Sequence, residues 1–271
     1  MKTPIWFAAA CLLALGGAPL PASSQSTGAA TAGFDHSRFD ALLKAQVVKG
    51  LVNYDAFASS REFTSYLGAL ALADPSALGT DERLAFWINA YNAYTIELIN
   101  QHHERESIRN INRSFGFIKA YGPWKERMVV AGSHRYTLDE IEQDVIRAGF
   151  HEPRIHFALV CAAMGCPPLR SEAYRGASLD MQLDDQARAF LLGSPAKNRV
   201  DVASRTLFVS PILVEFRDYI KDFGGSEQSV SRFIARYYPD GEAKRLLEAG
   251  GLRIERTTYD WALNRQKAGY D

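Results

Sequence analysis

The apolar positions near the start of the chain recur at intervals of three and four residues. Two sets have this spacing: Phe39, Leu42, Leu43 and Val47, and then Phe63, Tyr66, Leu67 and Leu70. This pattern predicts two early helices. A longer helix is predicted from Thr80, which is suited to cap it, to about Gln101. Because aromatic residues lie all around this third helix, we expect it to be central and buried.

The second half of the chain combines short strands with further helices. Gly132-Ser133 lies between two short strand-like segments and predicts a hairpin, as does the segment 199–210. Thr137 and Glu140, in the segment TLDE, predict a capping box at the start of a further helix. The unbroken apolar run from Ile155 to Cys161 predicts a strand that is buried on both faces. Helices and strands mix here without a regular strand-helix-strand order. The sequence therefore predicts an α+β fold: a single mixed domain with a central buried aromatic helix, several peripheral helices and a small, mostly antiparallel sheet.

The first residues have the layout of a secretory signal peptide. Lys2 is followed by the apolar run Ile5 to Leu15 and by a stretch of small residues in which Ala22 and Ser24 suit a cleavage site. We therefore expect a signal peptide at 1–24, a flexible leader at 25–34 and one globular domain at 35–271. This organisation predicts a periplasmic or secreted protein, and no later segment is apolar for long enough to span a bilayer.

The charge balance of the chain gives no reason to expect a nucleic-acid partner. There are 31 basic and 31 acidic side chains, and removal of residues 1–24 would take only Lys2 from this balance. A protein that binds a polyanion generally carries a clear basic excess. A small-molecule or peptide substrate remains the expected kind of partner, and we expect no cofactor.

Two cysteines five positions apart, Cys161 and Cys166, carry most of the possible chemistry. All six histidines precede them in the chain, so we consider a thiol nucleophile at Cys166 with His156 or His134 as its base. On the predicted strand, Cys161 and His156 would face opposite ways. In an exported protein the two thiols can instead form a disulfide that shapes the turn. Metal ligation is disfavoured because zinc sites usually need two close ligand pairs.

The central helix carries two asparagines on one face. Asn89 and Asn92 are three residues apart and lie among the aromatic residues Trp87 and Tyr91. Buried amides must find partners. They can either clamp a neighbouring loop, such as the one around Cys166, or orient a ligand bound beside the aromatic rings.

Four blocks of sequence resemble the DUF547 family, a domain family of unknown function. They are FWINAYNAYTIELI, TLDEIEQDVIR, RIHFALVCAAMGCPPLRSEAY with the following LDMQL, and YDWALN, and the resemblance as a whole covers about residues 35–265. The resemblance implies that the following positions fall on recurrent motifs: Asn89, Asn92, His156, Cys161, Cys166, Pro167 and Tyr174. Gln143 is a departure, because the family often has histidine after Ile-Glu. If that histidine were a catalytic base, this chain would be impaired.

Two functions follow from these observations. The first is a thiol-dependent hydrolase or acyl transferase that acts on an amide or peptide bond, with Cys166 as nucleophile, His156 or His134 as base, and Asn89 or Asn92 as orienting groups. In this hypothesis Trp87, Tyr91, Cys161 and Tyr174 form the binding surface. The alternative is a non-catalytic binding or assembly module of the cell envelope, with a Cys161–Cys166 disulfide and an aromatic groove. Whether the protein is an enzyme is left open by the sequence.

Overall fold

The apolar helix predicted after Thr80 is the central element of the fold. In the computed structural model it forms α4, Thr80–Gln101, with Gly79 instead of Thr80 at the cap position. Every residue from Leu84 to Asn100 except Glu97 is buried. A helix that is apolar on all sides has to be covered on all sides, so the remaining elements pack around α4.

The structure describes Met1 and residues 33–112 and 122–267. The predicted signal peptide, apart from Met1, and most of the predicted leader lie outside the described residues, so both remain predictions. The described residues from 33 onward belong to one compact unit. Within these described ranges, no helix has both the length and the apolar character needed to cross a bilayer.

Most of the described chain is helical. The α-helices other than α4 are α1 Ser37–Gln46, α2 Tyr54–Ala58, α3 Arg61–Leu72, α5 Leu138–Glu140, α6 Ala148–Phe150, α7 Ile155–Ala158, α8 Leu179–Leu192, α9 Pro211–Val214, α10 Glu227–Ala235 and α11 Glu242–Ala249. A π-helix, Ile141–Arg147, joins α5 to α6. Thr137 and Glu140 form the predicted capping box at the start of α5.

The strands of the described residues form three small sheets. They are β1 Val47–Val48, β2 Leu51–Val52, β3 Val129–Ala131, β4 His134–Tyr136, β5 Arg199–Asp201, β6 Thr206–Val209 and β7 Arg253–Arg256. The pairs β1–β2 and β3–β4 are antiparallel, and the third sheet has the order β5-β6-β7 with β6 and β7 parallel. The predicted α+β class, with one mixed domain around an aromatic helix and mostly antiparallel pairing, is confirmed.

Where the structure describes the chain, the buried apolar side chains form two clusters. The first apolar cluster surrounds α4 and includes Phe39, Leu70 and Ile88. The second apolar cluster includes Phe190 of α8 and Leu213 of α9. The segment that follows Arg154 passes between them, and the site described below lies there.

The strand predicted from Ile155 to Cys161 is wrong. Residues Ile155–Ala158 form the short helix α7, and the chain continues from it as an irregular segment. Phe157 packs in the second apolar cluster, while Leu159 packs in the first. A short helix enclosed between two clusters is apolar on every side, and the sequence cannot distinguish this pattern from that of a fully buried strand. The expectation that His156 and Cys161 face opposite ways therefore no longer holds.

Candidate functional site

A cavity of about 320 Å³ lies where the two apolar clusters meet. Tyr91 and Leu159 of the first cluster line it, and so do Ile212 and Tyr219 of the second. Its other lining residues are the two cysteines, two acidic side chains, His156 and a group of aromatic rings. A partly apolar cavity into which a few polar groups converge is the usual form of a ligand site.

Cys161 and Cys166 form a disulfide on the wall of this cavity. The Tyr259 hydroxyl lies 3.1 Å from the Cys161 sulfur and 3.0 Å from the Cys166 sulfur. Its ring covers Gly165, where a Cβ atom would come within 2.9 Å of the ring. Glycine is therefore required at this position, and the space that its missing side chain leaves is filled by Tyr259.

The C-terminal segment 260–264 holds the cysteine loop in place through backbone hydrogen bonds. Met164 N–H donates to the Ala262 carbonyl at 2.8 Å, and Gly165 N–H donates to the Asp260 carbonyl at 2.7 Å. The Asp260 carboxylate accepts from the Ala262 N–H at 2.9 Å, which closes a local turn. The loop thus has its own network of bonds besides the disulfide.

His156, on the cavity wall, forms a pair with the partly exposed Asp222. The Nε2 atom of His156 lies 2.6 Å from Oδ2 of Asp222, and the imidazole packs against the Tyr219 ring at 4.0 Å between centroids. Arg147 donates to both oxygens of the same carboxylate, from Nε at 2.6 Å and from Nη2 at 2.9 Å. This bidentate contact fixes Asp222, and Asp222 in turn fixes the imidazole.

The environment keeps His156 neutral and Asp222 ionised. Burial lowers the pKa of His156 below its ordinary value, against the opposing effect of the Asp222 carboxylate. Burial would raise the pKa of Asp222, but hydrogen bonds from His156 and Arg147 outweigh it and hold that pKa well below its ordinary value. An ionised carboxylate only accepts hydrogen bonds, so Nε2 of His156 carries the proton and Nδ1 is the basic nitrogen.

Glu142 is a second buried ionisable group on the cavity wall. It is 7% exposed, and its carboxylate accepts hydrogen bonds from the hydroxyl groups of Tyr219 and Tyr91, the latter at 3.3 Å. Burial raises the pKa of Glu142, although these two hydroxyl groups and the charge of Arg147 act against the rise. A carboxylate has about four acceptor positions, so Glu142 keeps capacity for a ligand.

The outer part of the cavity is formed by four aromatic rings, Trp124, Phe216, Tyr259 and Trp261, which we call the aromatic wall. Tyr259 and Trp261 are 4.6 Å apart between centroids, and Phe216 contacts Tyr259 at 5.0 Å. The exposed Glu215 completes the lining. Among the described residues that line the cavity, none is a lysine or an arginine.

The two asparagines of α4 clamp backbone on either side of the cysteine loop. Asn89 donates to the Tyr174 carbonyl at 2.8 Å and accepts from the Tyr174 N–H at 2.9 Å. Asn92 donates to the Ala158 carbonyl at 2.9 Å and accepts from the Val160 N–H at 3.0 Å. Both amides are buried and pair with backbone, as the loop-clamp alternative expects, and neither lines the cavity.

The other predicted site residues lie apart from the cavity. His134 is exposed on β4, where its Nδ1 lies 2.8 Å from the Gly132 carbonyl oxygen. Trp87 packs against Tyr136 at 5.4 Å between ring centroids, and Tyr174 is buried in the first apolar cluster. Of the nine predicted residues, the structure therefore brings four to the cavity: Cys161, Cys166, His156 and Tyr91.

Glu142, Asp222 and Tyr219 were missed by the sequence reasoning. Asp222 lies 66 positions after its partner His156, and no local pattern connects the two. Glu142 did carry a signal, because it lies next to Gln143, the position at which the resemblance raised a question. Gln143 itself accepts a hydrogen bond from Arg147 and does not line the cavity. No cluster of three metal-ligating side chains occurs in the part of the chain that the structure describes.

Comparison with known proteins identifies one family. Residues 75–191 match the sequence model of the family described as "Protein of unknown function, DUF547". This range contains α4, Glu142, His156 and both cysteines, whereas Asp222 and Tyr259 lie beyond it. No curated protein and no solved structure was found to match the chain. Residues 75–191 are therefore similar to a DUF547 domain, and this segment contains the disulfide, the histidine and the buried glutamate of the cavity.

Proposed function

We propose that the cavity binds a small organic cation, such as an amine or a quaternary ammonium compound, or the cationic side chain of a peptide. The observation that supports this most strongly is Glu142, a buried carboxylate on the wall of a cavity whose described lining includes no basic side chain other than the neutral His156. This proposal develops the binding-module alternative, with the Cys161–Cys166 disulfide as part of the wall.

The aromatic wall favours the same class of ligand. The faces of Trp, Tyr and Phe rings are electronegative and attract cations, by about 0.5–2 kcal/mol for each well-placed ring. A cation that enters past Glu215 would meet these rings first and Glu142 at the inner end. An anion would meet two carboxylates, of which Glu215 pairs with Arg256 at 3.4 Å outside the lining, so we expect anions to bind more weakly than cations.

Paired probes that differ only in charge test the proposal. Choline and its uncharged carbon isostere dimethylbutanol form one pair, and benzylamine and benzyl alcohol form the other. We expect the cations to bind in a calorimetric titration of the purified protein and the neutral partners to bind at least about tenfold more weakly, which corresponds to about 1.4 kcal/mol. Equal binding within both pairs, or no binding of either cation, would contradict the proposal.

The variant Glu142→Gln tests whether the cation binds next to Glu142 in the cavity. It keeps the shape of the side chain and removes the charge, so we expect loss of cation binding by about tenfold or more. Glu97→Gln is the matched control, because Glu97 lies on α4 outside the lining and bonds to Gln101. Binding that survives in Glu142→Gln would place the cation elsewhere.

A second candidate is the thiol-dependent hydrolase or acyl transferase. The observation that favours it is the His156–Asp222 pair, since a histidine oriented by a carboxylate is the usual partner of a nucleophilic thiol. The disulfide blocks this chemistry, so it requires a reduced form with a thiolate at Cys166. We expect any hydrolysis of an activated ester to appear only after reduction, to be lost in Cys166→Ser and to persist in Cys161→Ser. Hydrolysis by the oxidised protein would exclude the thiol mechanism.

A further inference from the structure

The two sulfurs of the disulfide differ in exposure and in environment. Cys166 is 1% exposed, whereas Cys161 is partly exposed, and both line the cavity. A thiolate that enters the cavity therefore reaches the Cys161 sulfur more readily. Attack there would make the Cys166 sulfur the leaving group.

Two hydrogen-bond donors face the Cys166 sulfur and would stabilise negative charge on it, against the opposing effect of burial. The backbone N–H of Cys161 donates to it at 3.2 Å, and the Tyr259 hydroxyl contacts it at 3.0 Å. Burial raises the pKa of Tyr259, so this hydroxyl keeps its proton and can donate it in a hydrogen bond. The ammonium group of Lys197 donates to the Cys166 carbonyl at 2.6 Å and brings a positive charge near the same residue. Donors and positive charge lower the pKa of a thiol, and a thiol with a lower pKa leaves faster in thiol–disulfide exchange.

The cysteine loop does not depend on the S–S bond to keep its course. Asn264 N–H donates to the Ala162 carbonyl at 3.1 Å, in addition to the bonds from Met164 and Gly165 to the same C-terminal segment. Asn92 holds the chain just before Cys161 through the Val160 N–H. Breaking the disulfide would therefore leave both sulfurs close to their present positions, so we expect reduction to be local and reversible.

We propose that the Cys161–Cys166 disulfide is a thiol–disulfide exchange centre that oxidises thiols entering the cavity. A substrate thiolate attacks the Cys161 sulfur and forms a mixed disulfide with it. The Cys161–Cys166 bond breaks, and its electron pair goes to the Cys166 sulfur, which the Cys161 N–H and the Tyr259 hydroxyl stabilise. A second substrate thiolate then attacks the substrate sulfur of the mixed disulfide and releases the thiolate of Cys161, and both cysteine sulfurs take up protons from solvent. Two thiols become one substrate disulfide, and the protein becomes a dithiol.

The charge of the cavity selects among thiols, and this part of the inference rests on the proposed cation site. Glu142 and Glu215 repel an anionic thiol and attract one that carries an ammonium group. When the rate of each thiolate is divided by its rate with a small uncharged disulfide, we expect cysteamine to react faster than mercaptoethanol, and mercaptoethanol faster than mercaptopropionate.

The test is the reduction of the folded, oxidised protein by each of these three thiols, quenched with acid and followed by intact mass. With mercaptoethanol we expect a rate proportional to thiolate concentration and a mixed disulfide that peptide mapping places on Cys161. Tyr259→Phe should slow the reaction by about fivefold or more, since it removes a donor from the leaving sulfur. Tyr94→Phe is the matched control, because the Tyr94 hydroxyl bonds to the Val130 carbonyl and does not line the cavity.

The possible outcomes separate the two proposals. A rate that is independent of thiol concentration and increases with denaturant would mean that the protein must unfold before reduction, and would overturn the exchange centre. A mixed disulfide mainly on Cys166 would overturn it as well. Normal reaction with mercaptoethanol but no difference between cysteamine and mercaptopropionate would leave the exchange centre standing and would count against the cation site.

Discussion

The buried polar side chains of the first apolar cluster and those of the cavity wall satisfy their hydrogen bonds in different ways. Asn89 and Asn92 bond to backbone groups of neighbouring segments, and each both donates and accepts. On the cavity wall, His156 bonds to another side chain, and so does Glu142. Polar side chains whose hydrogen bonds are made to the backbone stabilise the fold. Ionisable side chains that bond to other side chains around a cavity can still change partners when a ligand binds.

The largest effect should come from breaking a clamp in the first cluster. Asn92→Ala leaves the Val160 N–H and the Ala158 carbonyl buried without their partner, so we expect the free energy of unfolding in urea to fall by about 2–5 kcal/mol. Asn110→Ala, which removes the exposed hydrogen bond from Asn110 to Glu104, should lower it by less than about 1 kcal/mol. A loss of less than about 1 kcal/mol in Asn92→Ala would mean that the clamp is not structural.

The pH dependence of stability provides a second test with a smaller expected effect, because it reports on histidines that are buried in the folded protein. Burial, with help from the charge of Arg175, lowers the pKa of His36 to about 3. Because the unfolded chain takes up this proton near its ordinary pKa of about 6.5, stability should fall as the pH decreases from about 6.5 towards 3. In His36→Phe the slope between about pH 6 and pH 4 should be smaller by about 1.4 kcal/mol per pH unit.

The partner of His36 provides the control for this measurement. Its Nδ1 lies 2.7 Å from the Tyr66 hydroxyl, and Tyr66→Phe removes that hydroxyl while the buried imidazole stays. We expect Tyr66→Phe to keep the slope of the wild type. The slope that remains in His36→Phe should include the contribution of His156, whose pKa burial also lowers. An unchanged slope in His36→Phe would show that His36 is protonated in the folded protein.

The smallest expected effect on stability, and one of opposite sign, is at the cavity wall. Because the folded protein raises the pKa of Glu142, the ionised carboxylate destabilises the fold at neutral pH, and this cost disappears as the pH falls and Glu142 takes up a proton. We expect Glu142→Gln to raise the free energy of unfolding at pH 7 by about 0.5 kcal/mol or more, while it removes cation binding. Thermal unfolding should show a gain in Tm at pH 7 that shrinks as the pH falls towards the ordinary pKa of 4.5 and is absent below it. A loss of stability at pH 7 would show that the charge serves the fold.

The sequence predicted those parts of the molecule whose signals are local. The bounds of α4, the capping box of Thr137 and Glu140 and the hairpin turn at Gly132-Ser133 each depend on residues within one or two turns of chain, and all three are present. The course of the chain through α7 could not be predicted from local signals, because the apolar side chains of this segment belong to two different clusters.

The candidate site was predicted only in part, for a related reason. The cysteine pair is visible in the sequence because its members are five positions apart. The residues that give the pair its surroundings, Asp222 and Tyr259, are brought in by folding from 56 and 93 positions beyond Cys166. Only tertiary packing determines which carboxylate meets His156 and which hydroxyl meets the sulfurs.

The winding of the π-helix between α5 and α6 determines where two side chains near the cavity lie. Its last bond runs from the Ala148 N–H to the Gln143 carbonyl, so residues five apart lie almost one above the other. Glu142 and Arg147 are such a pair, and the wide turn directs both towards the Tyr219 side of the cavity. If the same residues were wound as an ordinary α-helix, Glu142 and Arg147 would lie about 140° apart around the helix axis. The wide turn is therefore what allows both side chains to reach Tyr219.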